Sequence, residues 1–118
     1  MKKYEIVKEH TDFDDIIAKG KYRKNNFFVI YNKESNFSYP RFGIAVGKKI
    51  GNAVNRNKYK RKLRAIIDNY KKLYVNNQDY IIILRGIAKE KEYKELENEF
   101  LQLMDNIRKD IKLHEEKK

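Results

Sequence analysis

Apolar positions along the chain recur in two rhythms, one of strands and one of helices, and each stretch predicts an element. Phe13, Ile16 and Ile17 recur at helical spacing between the Thr11/Asp14 pair, which resembles a capping box, and Gly20. A short first helix from about Asp12 to Lys19 follows. Phe27 to Tyr31 is β-branched and aromatic throughout, which predicts a strand with both faces at least partly covered. Phe42, Ile44 and Val46 alternate with Gly43 and Ala45, giving a second strand with one bulky and one small face. Tyr80 to Leu84 is the short unbroken apolar run of a buried strand. Residues 21–26 are basic and polar with room for a brief strand, and Lys33 to Pro40 reads as a connecting turn.

Two longer helical patterns complete the chain. Between Ala53 and Lys71, at about 100° per residue, Tyr59, Leu63, Ile66, Ile67 and Tyr70 gather on one side. From about Glu90 onward Tyr93, Leu96, Phe100, Leu103, Met104, Ile107 and Ile111 form a second stripe, with Lys112 to Lys118 expected to fray. Helix, two or three strands, helix, strand and helix in that order predict an α+β sandwich. A chain of 118 residues holds one such domain, with an ordered core expected over about 10–112.

Charge changes this picture, because it is concentrated in one place. The formal net charge is +11, and from Arg41 to Tyr74 the only acid is Asp68. On the wheel Ala53, Asn57, Lys60, Arg61 and Arg64 share an arc facing away from the apolar one, with Arg56 beside the apolar residues. Surface helices normally mix signs to gain pairs three and four residues apart, so a face of like charges predicts an external polyanion. Immediately before it, Gly47-Lys48-Lys49-Ile50-Gly51 offers backbone N–H groups near a helix start but lacks the ending and spacing of a nucleotide-binding loop.

Asn52-Ala53-Val54, Arg56-Asn57, Lys60-Arg61 and Arg64, preceded by Gly43-Ile44-Ala45-Val46 and Lys48-Lys49-Ile50-Gly51, resemble in register the signature of the bacterial ribonuclease P protein family. Weaker similarity covers Phe13 to Gly20, Phe28 to Tyr31 and Asp79 to Arg85. The resemblance implies an αβββαβα two-layer sandwich with a left-handed βαβ crossover containing the basic helix, against the usual right-handed preference. It also implies a protein that is a subunit of a ribozyme, in which a large RNA with bound magnesium removes the 5′ leader of precursor tRNA.

Carried over position by position, the resemblance assigns Lys48, Lys49, Asn52, Arg56, Asn57, Lys60, Arg61 and Arg64 to the catalytic RNA. Arginine forks onto two phosphate oxygens where lysine acts as a point charge, which favours Arg56, Arg61 and Arg64 for fixed geometry, Arg56 less so because it sits beside the apolar arc. It assigns Phe13, Ile17 and Tyr31 to a cleft that holds the leader between the first helix and the sheet. Three positions depart from the family pattern: Gly47 replaces a serine, Ala65 an acid, and Ile17 an aromatic residue.

The rest of the sequence agrees with a protein that carries no active site of its own. His10 and His114 lie near opposite ends, and no nucleophile arrangement surrounds either. The acids Glu90, Glu92 and Glu95 interleave with Lys91 and Lys94 as solvated pairs, and the chain has no cysteine for a thiolate or Cys-based zinc site. The resemblance implies that magnesium is bound mainly by the RNA partner. No run reaches membrane-spanning length, so a cytoplasmic protein without membrane or obligatory protein partners is expected. The alternative is a ribosomal or RNA-chaperone protein using the same helix. A DNA regulator fits worse, because strands flank the helix where a helix-turn-helix unit would supply another helix.

Overall fold

The computed structural model describes residues 1–116; Lys117 and Lys118, part of the stretch expected to fray, lie outside them. Its elements are α1 (His10–Lys19), β1 (Lys21–Lys24), β2 (Phe28–Glu34), β3 (Arg41–Val46), α2 (Ala53–Asn69), β4 (Gln78–Leu84) and α3 (Tyr93–Glu116). That is the αβββαβα order the resemblance implied. The four strands form one sheet in the order β1-β2-β4-β3, antiparallel except between β3 and β4. The parallel pair β3/β4 is joined through α2, so the basic helix is the crossover.

One sheet face carries Phe28, Ile30, Phe42, Val46, Tyr80, Ile82 and Leu84. It packs against Tyr59, Leu63, Ile66 and Ile67 of α2 and the whole Leu96-to-Ile111 stripe of α3. Burying side chains of this size stabilises by about 1.5–3 kcal/mol each, and α2 is held to the sheet by its apolar arc alone. The other face holds a smaller cluster of Val7, Ile16 and Ile81, with Phe13, Ile17, Tyr31 and Ile83 half-buried beside it. Gly43 explains the close seating of α1: a Cβ there would meet the Phe13 ring at 2.8 Å and Ile81 Cδ1 at 2.7 Å.

Several boundaries differ from those the pattern predicts. Thr11 caps nothing, since α1 already begins at His10 behind the extended Glu9. The second strand runs on to Glu34, because Asn32, Lys33 and Glu34 pair with Tyr80, Asp79 and Gln78. Helix α2 stops at Asn69 and Lys71 falls in a separate turn. The last helix cannot start at Glu90, whose φ is +65°; its N–H donates to Tyr59 Oη at 2.6 Å, and the helix begins at Tyr93. Lys112 to Glu116 continue α3. The chain before residue 10 also packs: Ile6 bridges Phe42, Val7 N donates to Phe42 O at 2.9 Å, and Val7 is buried. This segment covers the open edge of β3, which would otherwise present unpaired backbone groups.

Candidate RNA interface

The basic surface is built from the turn that leads into α2. Ile50, buried in the main core, anchors a single helical turn over Lys48–Ile50 and leaves Lys48 and Lys49 exposed. Gly51 follows at φ +140°, a conformation that side-chain-bearing residues avoid, and turns the chain into the helix. Asn52 is the N-cap, its Oδ1 accepting from Asn55 N at 3.0 Å. Such a cap contributes about 0.5–2 kcal/mol. The side-chain oxygen of Asn52 is therefore engaged within the helix, and its amide NH2 is the group the cap does not use.

Beyond the cap, Asn57, Arg61 and Arg64 are exposed and Lys60 is half-buried. Arg56 is half-buried too, as its place beside the apolar arc required, and its Nε is enclosed without a hydrogen-bond partner. No cation from Lys48 to Arg64 forms an ion pair with a described residue. Lys62 only lies over the Tyr59 ring at 5.0 Å. The one nearby acid, Asp68, is engaged by Lys71 and, at 2.7 Å, by the Met1 amino group. Arg56/Lys60, Lys58/Lys62 and Lys60/Arg64 are like charges four apart, each opposing the helix by about 0.2–0.5 kcal/mol. With no acid in the first turn, the positive helix end adds to the same field.

The second surface lies across the sheet. Strand register places Tyr22, Tyr31, Ile81 and Gly43 in one row over all four strands, with Lys24, Val29, Ile83 and Ala45 in the next. Phe13, Ile17 and Tyr31 converge on this face as half-buried neighbours of Ile16 and Ile81. Phe13 lies over Gly43, so its ring is largely spent on packing α1. The Tyr31 ring stands 5.4 Å from that of Tyr22. Beyond α1, Arg41 donates through Nε and Nη2 to Asp79 at 2.8 and 2.6 Å, and this pairing holds the guanidinium protonated even more firmly than usual. Arg41 is thus neutralised inside the fold and separate from the basic face.

Sequence reasoning missed Tyr22 and Arg85. Tyr22 is hidden in a basic run, and only the hairpin register, pairing it with Tyr31, reveals its place. Arg85 donates to Asn25 O at 2.8 Å and so ties the end of β4 to the β1–β2 turn. Among the described residues no group of three or more His, Asp or Glu side chains could hold a metal ion, and no helix is long and apolar enough to cross a membrane.

A crossover helix with a free cationic face, and a sheet row of partly open rings on the other side, define an RNA-binding α+β protein. The family profile described as Ribonuclease P matches residues 1–108. The ribonuclease P protein component of Mycoplasma capricolum is 40% identical over 109 residues, which are 92% of this chain and 100% of that one. A solved Staphylococcus aureus RNase P protein, a mutant with defective mRNA degradation activity, superposes with a TM-score of 0.83 at 33% identity over 90% of both chains. The Thermotoga maritima RNase P protein does so with a TM-score of 0.79 at 29% identity, covering 86% of this chain and 96% of that one. The chain belongs to the ribonuclease P protein family, and its fold class is that of the family.

Proposed function

We propose that residues 1–118 act as one RNA-binding domain that divides the family's work between two faces. The protein is the non-catalytic subunit of a ribonucleoprotein that removes the 5′ leader of tRNA. In our reading Lys48, Lys49, Asn57, Lys60, Arg61 and Arg64 meet phosphates of the catalytic RNA, with Asn52 contributing its amide and Arg56 a partly sheltered guanidinium. Each phosphate neutralised releases counterions, so this face supplies affinity without reading sequence. Phe13, Ile17 and Tyr31 line the track of the precursor tRNA leader, where an aromatic ring stacks on any base and is worth about 1–3 kcal/mol.

The observation that carries this reading is the set of cations from Lys48 to Arg64 without an intramolecular acid. Magnesium, on this account, is held by the catalytic RNA, which performs the hydrolysis while the protein positions the leader. The protein works in the cytoplasm without membrane or obligatory protein partners. Copurification tests it: one large structured RNA that cleaves precursor tRNA when recombined with the protein supports the reading. Ribosomal RNA in its place would favour the ribosomal or RNA-chaperone alternative.

A further inference from the structure

We infer that Tyr22 is a second stacking platform for the leader, extending the cleft from Tyr31 to the sheet edge. This rests on the leader reading above and adds a site to it. Tyr22 is 60% exposed, more than any other tyrosine or phenylalanine among the described residues. It sits directly across the β1–β2 ladder from Tyr31, so both rings project from the sheet face that carries α1. Their centroids are 5.4 Å apart with planes tilted by 39°. That is ring-to-ring contact, with no room for a base between them. The rings therefore offer successive platforms, one per nucleotide.

Charge fits the same occupant. Lys24, two residues along β1 and on the same face as Tyr22, is exposed and forms no ion pair with a described residue. Arg23 points to the other side and is used by Asp110. A ring with an unpaired lysine beside it, at the edge of an aromatic row, suits an unpaired, phosphate-linked base. Stacking does not read base identity, so the platform suits leaders of any sequence. It also supplies a ring to a cleft in which Ile17 offers none.

The test measures binding of the assembled ribonucleoprotein to precursor tRNAs whose leaders are shortened one nucleotide at a time, with Tyr22→Thr, Tyr22→Phe and Tyr31→Ala proteins. Threonine keeps strand propensity while removing the ring, and thermal melts establish that each variant folds. We expect Tyr31→Ala to weaken binding of every leader that enters the cleft. Tyr22→Thr should weaken binding about 5- to 150-fold only above a threshold leader length, and Tyr22→Phe should match the parent protein. Loss with Tyr31→Ala but none with Tyr22→Thr at any length would overturn the second platform and leave the cleft reading intact. Equal losses for Tyr22→Thr on all substrates, leaderless tRNA included, would overturn it as well. No leader-dependent loss with either variant would remove the cleft reading itself.

Discussion

On the α2 side the cations from Lys48 to Arg64 form no ion pair with a described residue, whereas the cations beside α1 itself are paired within the protein. Lys19 and Lys33 pair with Asp15 at 2.9 and 3.2 Å, and Arg41 pairs with Asp79 at 2.6 Å. What stays open on the α1 side is chiefly ring surface, on Tyr31 and Tyr22, with Lys24 alone beside it. Two regions of one small domain thus present the two halves of a nucleotide's chemistry. One is shaped for the phosphate, through field and fork, and the other for the base, through a flat apolar face. The difference predicts different sensitivities, because charge contacts are screened by salt and stacking largely is not.

The largest effect expected concerns chemistry that neither face contains. Protein freed of RNA should leave precursor tRNA uncut at every magnesium concentration, and adding the cognate RNA should restore cleavage at the mature 5′ end. Robust cleavage by the RNA-free protein would break the division of labour. Next comes a control on the architecture: Leu63→Ala removes a fully buried side chain shared by α2 and the sheet, and should cost about 2–5 kcal/mol in a denaturant titration. Arg61→Ala and Arg64→Ala, on the exposed arc, should leave that stability unchanged. If they melt early and bind normally, the basic arc is structural.

On the other face, Tyr31→Ala should weaken binding of precursor tRNA by about 1–3 kcal/mol while mature tRNA, lacking the leader, is bound almost as before. Equal loss for both would sink the cleft assignment. Phe13→Ala should behave differently and lower stability first, because its ring packs on Gly43. The smallest effect concerns Asp110, whose carboxyl is held below its ordinary value of 3.8 by hydrogen bonds from Arg23. Its contribution is complete above that value and is lost as the pH falls through the lower folded pKa. The pair is exposed, so Asp110→Asn should cost no more than about 1 kcal/mol at neutral pH and flatten only the most acidic part of the stability profile.

The two faces also differed in how much of them could be read from the chain. The basic arc was legible because its residues are consecutive turns of one helix, where spacing alone fixes which side chains share a side. Even there, the commitment of Asn52 to the cap and the sheltering of Arg56 Nε needed coordinates. The cleft is assembled from α1, β1, β2, β3 and β4, and its register is set by cross-strand pairing that periodicity does not encode. Phe13 and Tyr31 were found through family resemblance, while Tyr22, set among Lys21, Arg23 and Lys24, looked like part of a solvated run. The boundaries that moved did so for tertiary reasons. Tyr59 Oη fixes Glu90 in a left-handed conformation ahead of α3, and β4 draws Asn32 to Glu34 into the sheet. Neither influence is visible in a local window.

The claim that the α2 face binds by phosphate neutralisation is tested most directly by the salt dependence of assembly with the catalytic RNA. The logarithm of the binding constant against the logarithm of salt concentration should be a straight line for the parent protein. For the Arg61→Ala, Arg64→Ala double variant it should be flatter by somewhat under about 2 units, since each lost phosphate contact removes about 0.7–0.9. An unchanged slope, with affinity lowered equally at every salt concentration or not lowered at all, would contradict the account.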